Sequence, residues 1–256
     1  MELFKHILGL PPLASKEGAR VDNLIIYMHW LMIALFFGWL IYFIYAIYRF
    51  HHTRHAKADY TGVKNHASSW VEGAVAVIEG ALLLVVALPV WASHVEAPKE
   101  SDASVVQVVA QQFLWNVRYP GKDGVFGKQD MHLVTSDNAF GVDPADPNGK
   151  DDIVDQNRIH VVVDKPVIVQ ISSKDVIHSF KVLAMRVTQD AIPGMRIPVH
   201  FTPTKTGIYQ INCAQLCGQG HAAMAGGFLI VETQKEYDDW MATQKPPATT
   251  GVTSFQ

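Results

Sequence analysis

The chain has 256 residues, with 21 Lys and Arg against 24 Asp and Glu for a formal net charge of -3, and it contains no run of five basic residues. That balance excludes the electrostatic footprint of a nucleic-acid binder. The length suits a membrane anchor plus one compact domain of roughly 100 to 150 residues and excludes two full globular domains. The two cysteines, Cys213 and Cys217, are too few for a disulfide framework, leaving a local pair, a metal site or redox chemistry.

Apolar residues crowd the first ninety positions. Residues 1–23 hold Lys5, Lys16, Glu17, Arg20 and Asp22, and no small-residue cleavage site follows the next apolar run, so this segment reads as the lead-in to a retained anchor. Residues 24–48 carry no formal charge and are long enough to cross about 30 Å of hydrocarbon as a helix. Residues 49–70 form a loop bearing Arg49, His51, His52, Arg54, His55, Lys57 and Lys64, which the positive-inside rule places in the cytoplasm. Residues 71–93 form a second span, so both termini are expected on the outer face. Glu72 opens this span near water. Glu79 lies near its middle, where a carboxyl group must face protein or water, and it reads as a hydrogen-bonded acid in a helix contact.

Beyond Trp91 the pattern changes to short β-rich runs at 105–109, 113–119, 158–163, 167–171, 207–211 and 227–231, which predict a sandwich or barrel over residues 100–235. Residues 141–152 are turn chemistry throughout and read as a solvated surface loop. Residues 236–256 are expected to form a C-terminal helix or a disordered tail, with Pro246 and Pro247 favouring disorder from Lys245 onward.

The chemistry concentrates in Cys213-Ala-Gln-Leu-Cys217-Gly-Gln-Gly-His221-Ala-Ala-Met224. A thiolate, an imidazole and a thioether in that order suit a soft redox metal such as copper, and His178, in Asp175-Val-Ile-His-Ser-Phe180, offers a second imidazole from a loop at one end of the barrel. With Cys213 the set provides two thiolates and one His per metal for a copper pair, with Met224 and the Gln215 carbonyl as weaker ligands. Cys2His2 zinc, a local disulfide and inert thiols remain as alternatives; Met224 and an outward compartment favour copper.

These residues resemble the copper A-containing subunit II of haem-copper cytochrome c oxidases, from the first span to about Glu232, through Asp175–Phe180, Asp190-Ala-Ile-Pro-Gly194 and the Cys213–Met224 cluster. The fold implied is a two-helix transmembrane hairpin followed by an all-β cupredoxin-like Greek-key barrel, in a bacterial plasma membrane or mitochondrial inner membrane. The resemblance implies that His178, Cys213, Gln215, Cys217, His221 and Met224 bind copper A. It implies a c-type cytochrome as donor, with subunit I and further oxidase subunits as partners and oxygen reduction coupled to proton translocation. It also implies that Glu72 lies at the mouth of a proton path, and that electrons enter at Phe113 and Trp115.

Three residues depart from the family pattern. Gln215 stands where a glutamate normally helps hold magnesium or manganese at the subunit I boundary, which puts that ion in doubt. Phe113 replaces a tryptophan and Arg118 an acid, so the docking face is expected to be less acidic and the donor to be a stably associated haem protein or a weakly charged cytochrome domain. No Cys-x2-Cys-His haem attachment exists in the chain. Competing readings are an anchoring subunit of a quinol oxidase, which generally lacks the ligands, the copper domain of nitrous oxide reductase, which lacks the two spans, and a membrane-tethered zinc module.

Overall fold

The computed structural model describes residues 2–55, 57, 60–62 and 64–244. The chain divides into two compact units, one built from Met1–Leu10 and Arg20–Ala92, the other from Pro11–Ala19 together with the chain from Ser93 onward.

The first unit is helical. A short helix α1 (Glu2–Ile7) precedes α2 (Gly18–Arg49), 32 residues long, and a second long helix runs over Ala67–Val95, 29 residues. Both long helices exceed the roughly 20 residues that a span requires, and the apolar stretch of each faces outward without burial inside the protein. The second helix is regular over α3 (Ala67–Ala81), widens into a π turn at Leu82–Ala87 and resumes as α4 (Leu88–Val95). Pro89 explains the widening, because its ring lacks an N–H and would clash with the Val85 carbonyl four residues back in a regular helix. Glu72 and Glu79 both lie on α3, and a spacing of seven residues puts them on one face two turns apart.

The second unit is a β-sandwich of two five-stranded sheets. One has the order β3-β2-β1-β5-β8 and contains β1 (Ser104–Gln111), β2 (Leu114–Tyr119), β3 (Ile153–Gln156), β5 (Val167–Ser173) and β8 (Ile197–Phe201). The other has the order β4-β10-β9-β6-β7 and contains β4 (Arg158–Val162), β6 (His178–Val182), β7 (Val187–Ala191), β9 (Gly207–Cys213) and β10 (Gly227–Glu232). Pairings β1–β5 and β4–β10 are parallel, and the others antiparallel. Alternate residues fill the core: Val106, Val108 and Ala110 from β1, Trp115, Val117 and Tyr119 from β2, Val167, Val169 and Ile171 from β5, and Leu229 and Val231 from β10.

Strands β3, β6, β7 and β8 are additional to the six sequence-predicted runs. Three of them are sheet edges, and β8 carries Pro198, tolerated because an edge strand need not donate on its outer side.

The segment 141–152 bears out the expected surface loop in part, with Pro144, Ala145, Pro147, Asn148 and Lys150 exposed, and departs from it at two carboxylates. It belongs to a long β2–β3 connection that covers the outer face of the first sheet and buries Asp146 and Asp152. Burial on both faces makes five successive residues of β2, Trp115 to Tyr119, inaccessible.

The segment before the first long helix is also part of the sandwich unit. Ala14 N–H donates to the Ala184 carbonyl at 2.8 Å and Thr204 N–H to the Ala14 carbonyl at 2.8 Å, while Ser15 Oγ donates to the Met185 carbonyl at 2.7 Å. Glu17 accepts both the N–H and the hydroxyl of Thr202, each at 2.8 Å.

At the other end of the chain, α5 (Gln234–Thr243) starts at a capping box of Thr233 and Glu236, and Trp240 stacks on His160 with ring centroids 4.0 Å apart. The tail at 245–256 lies outside the described residues.

Candidate metal centre

Two neighbouring strands of the second sheet bring the soft ligands together. β9 ends at Cys213 and β6 begins at His178, with Phe180 opposite Cys213 in the ladder. His178 is therefore the first residue of a strand, not a loop residue, and its imidazole is fully buried. The chain leaving Cys213 turns back through Cys217 and enters a 3-10 helix, His221–Gly226, which opens with His221 and carries the buried Met224.

Sulfur and nitrogen then converge. The Cys213 and Cys217 Sγ atoms are 3.9 Å apart. Nδ1 of His221 is 3.4 Å from the Cys217 sulfur, and Nδ1 of His178 is 4.0 Å from the Cys213 sulfur. The Gln215 carbonyl lies 3.1 Å from the Cys213 sulfur, while the Gln215 side chain is exposed. His178, Cys213 and Cys217 place their ligand atoms within 4.8 Å of one another, the spacing of a site able to hold a metal ion. Each thiol thus has its own imidazole, and the two thiols face each other, a donor set that fits a soft metal pair bridged by sulfur. Burial, reinforced by the neighbouring Cys213, pushes the Cys217 thiol up to about 11, so a cation at the site would supply the charge that its thiolate form needs.

A surrounding hydrogen-bond shell fixes these ligands. Nε2 of His178 meets Asp175 Oδ1 at 2.9 Å, which leaves Nδ1 for the sulfur side. Burial raises the Asp175 carboxyl, but the Gln112 N–H, the His178 ring and the Val176 N–H outweigh it and hold the group below its ordinary range. Gln112 ties the β1–β2 turn to the cluster, with its N–H on Asp175 Oδ2 and its side-chain amide on the Cys217 carbonyl, both at 2.7 Å. Sequence reasoning assigned no role to Asp175 or Gln112. The signal for Asp175 was present as an acid three residues before His178; for Gln112 there was none, because its partners are 63 and 105 residues away.

A family model for the periplasmic domain of cytochrome c oxidase subunit II matches residues 104–232. The alternative cytochrome c oxidase subunit 2 of Bradyrhizobium diazoefficiens is 34% identical over 235 residues, covering 91% of this chain and 83% of that protein. The chain belongs to the cytochrome c oxidase subunit II family. Cytochrome c oxidase subunit 2 of Cereibacter sphaeroides is 28% identical over 257 residues, covering 91% of this chain and 78% of that protein. The periplasmic domain of subunit II of the Bradyrhizobium japonicum cytochrome oxidase superposes with a TM-score of 0.43 at 30% identity, covering 58% of this chain and 96% of that one. Two apolar helices followed by a cupredoxin-like β-domain are the fold of this subunit II.

The aromatic residues of this subunit II divide by depth. Trp115 is fully buried beneath the cluster; its indole N–H donates to the Met224 carbonyl at 3.0 Å, and its ring meets His178 edge-on at 6.3 Å between centroids. It has no surface to offer a donor. Phe113 is half-buried and lies over Gly218 and Gly220; a Cβ on Gly220 would collide with the ring, and one on Gly218 would crowd it.

Arg118 corrects the expectation of an altered docking face. It is fully buried, with Nε 3.0 Å from Asp152 Oδ2 and Nη2 in a shorter contact with the same oxygen. Nη2 also donates to the Gly127 carbonyl at 2.9 Å and Nη1 to Gln107 Oε1 at 3.3 Å. The covering β2–β3 connection places this residue inside the protein, so Arg118 tells nothing about the donor. Glu72 and Glu79 belong to the helical unit.

Proposed function

We propose that this chain is the electron-accepting subunit of a respiratory terminal oxidase, with His178, Cys213, Cys217, His221, Met224 and the Gln215 carbonyl holding a dinuclear copper A centre. The observation that carries this reading is the facing pair of thiols, each with an imidazole nitrogen within 4.0 Å. When bound, the copper pair supplies a one-electron relay between a c-type cytochrome and the haem-copper subunit I, where oxygen is reduced to water with proton translocation.

The chain's own residues serve that relay by holding still. Asp175 fixes the His178 ring, Gln112 fixes the copper loop, and the Trp115 indole anchors the Met224 turn, so little reorganises when the charge changes. Phe113, the half-buried aromatic ring over the copper loop, is the surface at which an electron enters. Glu72 is the mouth of a proton path on the opposite side of the membrane. The exposed amide side chain of Gln215 makes a poorer ligand for magnesium or manganese than a carboxylate would.

The outward placement of both termini draws support from the loop between the spans, whose Arg49, Arg54, Lys57 and Lys64 are the kind of cluster the positive-inside rule keeps in the cytoplasm.

The test is metal analysis and EPR of the full-length chain in detergent. Two coppers per chain and a signal shared between two nuclei are expected, and Cys217→Ser should abolish that signal. One copper, or one zinc, would overturn the dinuclear reading.

A further inference from the structure

The outer face of the first sheet carries a cavity of about 490 Å³ that plays no part in the copper chemistry. Its floor is a chain of side-chain amides. Gln129 donates to Gln107 Oε1 at 3.2 Å, Gln107 to Gln170 Oε1 at 3.3 Å, and Gln170 to Glu100 Oε1 at 2.9 Å. Arg196 donates into the start of this chain at Gln129 Oε1, so an acceptor at one end and a cation at the other set the direction of every amide.

Two cations border the cavity, and among the described residues neither is paired with a carboxylate. Lys174 donates to the Thr135 carbonyl at 2.7 Å, and Arg196 has Gln129 as its partner, so both spend donors only on neutral oxygen. A guanidinium carries five N–H donors and an ammonium three, so most of this capacity stays open to solvent or to a ligand. Against them the cavity wall holds one acid, Asp130, whose Oδ1 accepts the His132 N–H at 2.9 Å. A cavity of this size that combines two cations and an amide floor with an apolar wall from Val134, Phe140 and Met195 suits an organic anion better than a bare inorganic one.

We infer that this cavity binds a small organic oxyanion, a polycarboxylate or a phosphate ester, through Lys174 and Arg196, with the Gln107, Gln129 and Gln170 amides contacting its uncharged body. Charge-assisted hydrogen bonds supply the affinity, and the cavity is too large for a bare inorganic ion to fill. The cavity shares no residue with the sulfur cluster, so the site stands whether or not copper occupies Cys213 and Cys217.

The experiment is titration calorimetry on the full-length chain in detergent, with and without copper, using citrate, glucose 6-phosphate and inorganic phosphate as probes at fixed ionic strength. Saturable one-to-one binding of citrate or glucose 6-phosphate is expected, and the tighter of the two identifies the oxyanion type. Lys174→Met and Arg196→Gln should each weaken it about tenfold or more, as loss of a charge-assisted hydrogen bond would. Asp130→Asn keeps the cap on the 131–133 turn while removing the opposing charge, and should tighten binding. All three are surface changes that leave the sandwich core intact. Absence of saturable binding by either organic probe would overturn the proposal, as would binding that none of the three substitutions alters.

Discussion

Replacing Asp152 with Asn removes one negative charge from the interior of the sandwich and leaves the shape almost unchanged. Arg118 is then a buried guanidinium, 0% exposed, that loses the Asp152 carboxylate at 3.0 Å and keeps two neutral acceptors, the Gly127 carbonyl and Gln107 Oε1. Breaking one side of a buried ion pair costs about 3–5 kcal/mol, because the remaining charge stays desolvated. With about 2–4 °C of melting temperature per kcal/mol for a domain of this size, the expected drop is about 6–20 °C. The assay is thermal and urea unfolding of the full-length chain in detergent, followed by the β-sheet circular dichroism. The paired change Arg118→Met with Asp152→Leu should recover most of the loss, since two apolar side chains leave no charge stranded. A drop below about 1 kcal/mol for Asp152→Asn, or a double variant no better than the single one, would show that water reaches the pair and that the β2–β3 connection does not seal the sheet.

Gly220→Ala should push the Phe113 ring off the copper loop, slowing reduction by a cytochrome donor in stopped flow while the copper optical spectrum stays intact; an unchanged rate would remove Phe113 as the point of electron acceptance. Glu72→Gln should slow steady-state oxygen reduction by the assembled oxidase without altering the copper EPR signal, and a spectral change without a rate effect would contradict its assignment to proton delivery. The Thr233 N–H and hydroxyl hold the Glu236 carboxyl below its ordinary range. A lowered folded value means that its contribution to α5 is complete above the unfolded glutamate value of about 4.3 and is lost as pH falls through the lowered one. The protection factors of the amides across Gln234–Thr243, taken against the intrinsic exchange rate at each pH, should therefore fall on acidification, and Glu236→Gln, which can still close the capping box, should remove the part of that dependence due to this residue.

The sequence by itself determined what depends on local pattern. Long uncharged runs announce helices suited to a membrane whatever surrounds them, and short β-rich runs marked the strands that fill the core, such as the one carrying Val106, Val108 and Ala110. The proposed ligand set stood out because five of its six members lie within twelve consecutive residues and His178 stands in a recognisable motif. What only the tertiary structure decided is which side chains meet across long separations. Arg118 looked like a surface charge because nothing near it in the chain announces Asp152, 34 residues away, or the connection that carries it over the sheet. Residues 11–19 looked like a loose lead-in because their partners, Ala184, Met185, Thr202 and Thr204, are more than 160 positions distant. The edge strands β3, β7 and β8 were invisible for a related reason: half of an edge strand's environment is solvent, so its sequence can carry Pro198 or Thr188 without penalty, and its place is set by the neighbour that supplies its hydrogen bonds.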